Sequence, residues 1–210
     1  MINVLIADDH TIVRKGLMQI LADTPDIAVK EEAGSAQEVI KKIRTKTFDL
    51  VLLDISFPGR SGLDVLKQLK SLRPDLRVLV LSMHPEEQYA IRCIRAGASG
   101  YLTKESAPEE LLKAIRKVAR GGKYITSTLG EKLAAEMENE RKGLPHETLS
   151  DREYQVMCMI ATGKTVGEIA EALSLSVKTI STHRARILEK TGMKHNAQLI
   201  HYAIKHHLVD

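Results

Sequence analysis

The 210-residue chain is poor in cysteine, in long apolar runs and in charge excess. It has only two cysteines, Cys93 and Cys158, and they fall on patterns assigned below to different domains. That argues against a disulfide framework or a cysteine metal site and reads as two buried thiols in a reducing compartment. No apolar stretch approaches the roughly 20 residues of a membrane span. The amino terminus enters an acidic strand pattern directly, which is unlike a signal peptide, so the expected location is the cytoplasm with no membrane partner. There is no internal repeat and no low-complexity segment. The net charge is only +4, which permits nucleic-acid binding without requiring it. With 43% hydrophobic and 28% charged residues, the composition is that of a globular protein.

What is present is an alternation of short apolar runs and amphipathic segments. Strand patterns cover 2–7, 27–33, 49–54, 77–82 and 99–103. Helical patterns cover 11–23, 35–46, 61–72, 86–96 and 107–120. Five such units in succession predict an α/β fold, a five-stranded doubly wound parallel sheet over residues 1–121. Ser35-Ala-Gln-Glu38 and Ser106-Ala-Pro-Glu109 fit capping boxes, and Gly97 and Gly121 fit helix C-caps. Residues 122–147 read as a linker, with Tyr124-Ile125-Thr126 extended, a helix over 128–141 and a flexible Lys142-Gly143-Leu144-Pro145. From 148 to 210 strand patterns cease. Four helices are expected there, at 151–162, 166–173, 177–191 and 196–207, with capping boxes at Ser150–Glu153 and Thr165–Glu168.

Three acids end apolar runs in the first part: Asp8 and Asp9 after Val4-Leu5-Ile6-Ala7, and Asp54 after Leu50-Val51-Leu52-Leu53. Ligands bind beyond the carboxyl ends of the strands in such sheets. Carboxylates gathered there repel one another unless a cation neutralises them. This predicts a Mg²⁺ site, because Mg²⁺ takes oxygen ligands and needs only one or two carboxylates. Asp9 and Asp54 are the expected direct ligands, Asp8 acts through water, and the Ser56 carbonyl completes the set. Ser82 and Lys104 end two later runs and face the same crevice. Taken singly, each of these residues is better explained as a cap or a solvated strand end; five at five expected places point to one site.

The set Asp8-Asp9, Asp54, Ser82 and Lys104 resembles the receiver domain of two-component response regulators, a flavodoxin-like fold. So do Leu53-Asp54-Ile55-Ser56-Phe57-Pro58-Gly59 and Ala98-Ser99-Gly100-Tyr101-Leu102-Thr103-Lys104. The resemblance departs at Phe57, where the family usually has Met, and at Glu105, where Pro is frequent. It implies that Asp54 accepts a phosphoryl group from a sensor histidine kinase, with Mg²⁺ and Lys104 offsetting the charge. It also implies that Ser82 moves toward the phosphoryl group, that Tyr101 is a switch residue, and that Ser56 and His84 tune the lifetime of the adduct. Arg92, Arg95, Glu109 and Glu110 read equally as a dimer contact or as solvated faces.

In the second part, Ile169, Ala170 and Leu173 on one short helix precede a Ser174-Leu175-Ser176 turn. Ile180, Ile187 and Leu188 then form one side of a longer helix. This is a helix-turn-helix, whose second helix enters the major groove of DNA. Residues 176–195 hold five basic side chains (Lys178, Arg184, Arg186, Lys190, Lys194) against one acid, Glu189. The candidate DNA contacts are Lys178, Thr179, Ser181, Thr182, His183, Arg184, Ala185 and Arg186, with His183 reading as either a helix-packing or a phosphate-contacting residue and not as a metal ligand. His201, His206 and His207 are better placed to favour a helix C-terminus than to bind metal. Leu149-Ser-Asp-Arg-Glu153 and Val177-Lys-Thr-Ile-Ser-Thr-His183 resemble the DNA-binding domain of the NarL/FixJ (LuxR-type) regulators, nearest the GacA/UvrY group. Together the resemblances imply a non-enzymatic transcription regulator that dimerises on double-stranded DNA when phosphorylated. Two rivals stand beside it, a Mg²⁺-dependent phosphohydrolase with an aspartyl nucleophile and a DNA binder that ignores phosphorylation.

Overall fold

The computed structural model describes residues 1–57, 61–127, 129–131, 133, 144–206 and 208–209, with the side chains of 87 and 88 left aside. It divides into two compact units, Met1–Gly130 and Glu131–Asp210. In the first, β1 (Ile2–Ala7), β2 (Ile27–Ala33), β3 (Leu50–Asp54), β4 (Val78–Ser82) and β5 (Gly100–Thr103) form one parallel sheet of order β2-β1-β3-β4-β5. The helices α1 (Thr11–Ala22), α2 (Ala36–Thr45), α3 (Gly62–Leu72), α4 (Glu86–Arg95) and α5 (Pro108–Ala119) alternate with the strands. The expected doubly wound fold is therefore present, with element ends within a residue or two of those read from the pattern.

Physical reasons for the strands are direct. β3 and β4 are buried at every residue, which is why Leu50-Val-Leu-Leu and Val78-Leu-Val-Leu are unbroken apolar runs. Val4, Ile6, Leu50, Leu52, Leu79, Leu81 and Leu102 pack with Leu111, Ile115 and Val118 of α5 and Leu17 and Leu21 of α1 in one core. Gly97 and Gly121 have φ of +98° and +89° and end α4 and α5 as expected. The Ser35 hydroxyl accepts from Glu38 N–H, but the Glu38 carboxylate takes the N–H of Gly34 instead of closing the box on Ser35. The box expected at Ser106 does not form. Pro108 occupies the first helical position, so Ala107 becomes the N-cap and the Ser106 hydroxyl pairs with Thr103 instead.

In the second unit a 3-10 turn (Pro145–Thr148) leads into α6 (Asp151–Ala161), α7 (Val166–Ala172), α8 (Val177–Thr191) and α9 (Asn196–Lys205). Both expected capping boxes close here, with Ser150 on Glu153 and Thr165 on Glu168. Leu149, Tyr154, Val156, Met157, Ile169, Ile180, Ile187, Leu199 and Ala203 are buried. Most of the helix expected over 128–141, residues 142 and 143 of the following linker, and His207 lie outside the described residues; residues 127, 129–131 and 133 are helical.

Candidate functional site

β1 and β3 are adjacent and in register from Val4↔Leu50 to Ala7↔Leu53, so Asp8 and Asp54 leave neighbouring strands side by side. Ser82 ends β4, and Lys104 follows β5 on the far side, with its backbone N–H donating to the Ser82 carbonyl. All of them converge beyond the carboxyl edge of the sheet. The Lys104 ammonium lies 2.6 Å from Asp8 Oδ2 and donates at 2.8 Å to Asp54 Oδ2. The side chains of Lys104, Asp8 and Asp54 are 8%, 2% and 0% exposed. Ser56 N–H donates to Asp54 Oδ1 at 3.0 Å. Gly62 lies against the backbone of Ile55, where any Cβ would come within 2.2 Å of Ile55 Cα, and its N–H donates to the Ile55 carbonyl at 3.1 Å.

Burial raises the Asp54 carboxyl above its ordinary pKa; Lys104 acts against that, and Asp8 adds to it. Burial also works against the Lys104 ammonium, yet Asp54 and Asp8 outweigh it and raise the Lys104 pKa. The pocket thus holds more carboxylate than ammonium. Asp9, with a side chain 20% exposed, turns Oδ1 to a buried position with no hydrogen-bond partner among the described residues. His10 Nδ1 lies 3.1 Å from that oxygen and 3.3 Å from Asp8 Oδ1. Among the described residues, a ligand atom from each of Asp8, Asp9, His10 and Asp54 falls within 4.8 Å of every other. The expected acidic cluster is therefore assembled, and His10 is an addition that strand patterns could not supply, because it caps α1 instead of ending a strand. Arg14 is a second addition. Its guanidinium donates to the carbonyls of Asp8 (2.8 Å) and Asp9 (3.3 Å) and to Glu32 (2.8 Å), fixing the acidic loop from outside.

Behind the pocket, Ser82 is fully buried and its hydroxyl accepts from His84 N–H at 3.0 Å. Tyr101 is turned inward, 1% exposed, and its hydroxyl donates to the His84 carbonyl at 2.8 Å. The Glu110 carboxylate, one candidate for a dimer contact, accepts from Tyr124 of its own chain at 3.0 Å.

In the second unit α7, the Ser174–Ser176 turn and α8 form the expected helix-turn-helix. Ser174 takes a φ of +53° in the turn, and the Ser176 hydroxyl caps α8 by accepting from Thr179 N–H at 3.0 Å. Lys178, Ser181, Thr182, Ala185 and Arg186 are exposed. The other three candidate contacts are engaged within the unit. The Thr179 hydroxyl pairs with Ser176 at 2.8 Å, and Arg184 Nε donates to Asn196 Oδ1 at 2.7 Å. His183 is half-buried, with Nδ1 buried and unpartnered among the described residues. Burial lowers its pKa, Arg152 and Arg186 add to that, and Glu153 opposes it. His183 is thus a half-buried residue of α8 within electrostatic reach of Arg152 and Glu153 on α6. Val177, 57% exposed at the first position of α8, is an apolar surface residue beside these polar ones and carries no polar signal in the sequence. Tyr202 packs on His206 with ring centroids 4.3 Å apart and pairs with His146 Nδ1 at 2.8 Å, so His206 belongs to an aromatic cluster.

Comparison with known proteins matches both halves. Residues 4–116 fit the response regulator receiver domain, and residues 147–203 fit the bacterial regulatory proteins of the luxR family. The chain is 40% identical to the response regulator UvrY of Escherichia coli K12, over 99% of this chain and 96% of that one. It is 36% identical to the response regulator GacA of Pseudomonas aeruginosa, over 100% and 99%. Among solved structures, RcsB of Salmonella typhimurium superposes with a TM-score of 0.70 at 28% identity over 97% of each chain. RcsB bound to promoter rprA in the presence of phosphomimetic BeF3⁻ superposes with 0.65 at 28% identity, over 96% of this chain and 98% of that one. The chain belongs to the response regulators, joining a receiver domain to a luxR-family regulatory domain.

Proposed function

We propose that Asp54 is the phosphoacceptor of a cytoplasmic transcription regulator and that its phosphorylation controls binding of α8 to double-stranded DNA. The observation that carries this reading is the pairing of one buried ammonium, Lys104, with two buried carboxylates on adjacent strands. A carboxylate oxygen of Asp54 attacks the phosphorus of a phosphohistidine on a sensor histidine kinase. The new O–P bond forms as the N–P bond breaks, and the freed imidazole takes a proton. Lys104, already bonded to Asp54, faces the negative oxygens of the transferred group, and the Ser82 hydroxyl donates to one of them.

The residues fit a hard divalent cation. Their carboxylates exceed the single ammonium, and Asp9 Oδ1 is buried without a hydrogen-bond partner among the described residues, with His10 Nδ1 3.1 Å away. Asp8, Asp9, Asp54 and the Ser56 carbonyl would hold Mg²⁺, which supplies charge neutralisation at the transferring group. His10 Nδ1 borders the same space. At the reader, Lys178 and Arg186 supply phosphate attraction, Ser181 and Thr182 hydrogen-bond the groove, and Ala185 with Val177 offers apolar contact to thymine methyls. The dimers and promoter complexes of RcsB support a phosphorylated homodimer on DNA. Among the described residues no helix is long and apolar enough to cross a membrane.

The test is a gel shift on genomic fragments with Mg²⁺ and acetyl phosphate, read alongside intact mass. Wild type gains one phosphoryl adduct and tighter binding, and Asp54→Asn gains neither. An equal shift in both proteins would overturn the reading.

A further inference from the structure

β5 is an edge strand of the sheet, and its outer edge is not open. Residues just past α5 return along it. Tyr124 N–H donates to the Ser99 carbonyl at 2.8 Å, and Tyr124 pairs with Gly100 in a parallel bridge. Lys123 Nζ donates to the Ala98 carbonyl at 2.7 Å, and the Tyr124 hydroxyl reaches Glu110 on α5. The Thr126 hydroxyl donates to Glu86, the first residue of α4, at 2.7 Å. The same oxygen accepts from Leu129 N–H at 3.1 Å, so Thr126 also caps the helical turn that begins at 127. Glu86 Oε1 is buried with no hydrogen-bond partner among the described residues, and Thr126 bonds the other oxygen of this carboxylate. Gly100 makes the docking sterically possible. A Cβ there would stand 2.7 Å from the Tyr124 carbonyl oxygen and 2.9 Å from Tyr124 Cβ.

We infer that residues 123–127 are a strap docked on β5, and that the Thr126–Glu86 bond joins the Asp54 pocket to the start of the connection between the two units. This rests on Asp54 being the phosphoacceptor. The path is short. Ser82 holds the His84 N–H, Tyr101 holds the His84 carbonyl, and two residues later Glu86 holds Thr126. A phosphoryl group on Asp54 draws the Ser82 hydroxyl toward it, and the loop 83–85 follows. That moves the first turn of α4 and with it the acceptor on which the strap is fastened. The strap then carries the pocket's state into the chain that leads to the reader.

The test uses full-length protein, a duplex selected from random DNA by the phosphorylated protein, and acetyl phosphate with Mg²⁺. It compares wild type with Thr126→Val, Thr126→Ser and Gly100→Ala. Amide exchange at Tyr124, Leu129 and Gly130 reports the strap, intact mass reports the adduct, and the ratio of DNA affinities with and without phosphodonor reports the coupling. In wild type the phosphodonor changes protection at Leu129 and Gly130 and tightens DNA binding about tenfold. Thr126→Val takes up the phosphoryl group normally but loses both responses, and Thr126→Ser, which keeps the hydroxyl, regains them. Gly100→Ala additionally loses protection at Tyr124. A fully phosphorylated Thr126→Val that keeps the wild-type affinity ratio overturns the strap inference and leaves the phosphoacceptor reading intact. A wild type that never gains the adduct overturns both.

Discussion

Lys104→Met isolates the electrostatic design of the pocket, because methionine closely matches the apolar stem of lysine and lacks the ammonium. In the native protein that ammonium lies 2.6 Å from Asp8 Oδ2 and 2.8 Å from Asp54 Oδ2, with all three side chains nearly inaccessible. Removing one member of a buried ion pair leaves a charge that neither water nor a partner compensates, which costs about 3–5 kcal/mol. Here two carboxylates are stranded together, so the upper half of that range is expected. A domain the size of the first unit has about 10 kcal/mol of stability in total. The variant therefore folds, with a thermal midpoint lower by about 15 °C at neutral pH.

The sign of the pH dependence is fixed by the same charges. The Asp54 carboxyl stands above its ordinary value through burial, and losing Lys104 pushes it higher. A carboxyl whose folded pKa is raised favours the native state below its unfolded value, about 4, and loses that advantage as pH rises through the folded value. The gap between wild type and Lys104→Met should thus be wide at pH 7 and close as the pH falls toward 4. Calorimetry across that range, with and without Mg²⁺, measures it. Adding Asp8→Asn to Lys104→Met should recover much of the loss. A neutral-pH difference under about 0.5 kcal/mol, or no recovery in the double variant, refutes the account of a charge-compensated buried pocket.

Asp54→Asn should shift stability the other way. It removes a carboxylate whose ionised form burial disfavours, so the midpoint rises at neutral pH, and the added stability from Mg²⁺ shrinks; a lowered midpoint by calorimetry contradicts this. In the second unit, Glu153 is held below its ordinary pKa by Lys190 at 2.6 Å and by Ser150 against the opposing effect of burial. Its contribution is present above the unfolded value, about 4.3, and lost as pH falls through the folded one, so Glu153→Gln should cost about 1–2 kcal/mol at pH 7 and less in acid, as denaturation of full-length protein will read at the second unit's transition. Lys178→Ala and Arg186→Ala should each reduce the slope of log affinity against log salt by about 1, while His183→Asn leaves the slope unchanged, measured by fluorescence anisotropy on a selected duplex.

The parts legible in the sequence were those governed by neighbours along the chain. β3 and β4 declare themselves because burial on both faces demands an uninterrupted apolar run, and Asp54 and Ser82, which end those runs, mark the carboxyl edge. Ser150, Thr165 and Ser176 cap helices because the groups they bond lie within three residues. The local rule that failed at Ser106 failed to another local rule, since Pro108 fixed the helix start one residue later, and at Ser35 the box stayed half-closed because Glu38 took the neighbouring N–H of Gly34. What stayed hidden depends on pairings across tens of residues. Arg14 on the acidic loop and Glu32, Lys190 on Glu153 and Thr126 on Glu86 are ordinary surface types until the fold closes. His183 reads from the sequence as either a packing residue or a phosphate contact, and the structure places it half-buried near Arg152 and Glu153 of α6.

These hidden pairings explain why a pocket so visible in the sequence can be useful at a distance. A buried site with two carboxylates on one ammonium and a third acid beside them is electrostatically unrelaxed, and adding a cation or a phosphoryl group changes its balance by whole charges. A change of that size is not absorbed at the site when the adjoining loop is held at both its amide and its carbonyl, as His84 is by Ser82 and Tyr101. It passes to the first free joint, the start of α4. There a single threonine both bonds one oxygen of Glu86 and caps the departing chain. The chemistry is thus written in strand ends that any parallel sheet would gather, whereas the output depends on one glycine that leaves an edge narrow enough to cover and one hydroxyl that fastens the cover.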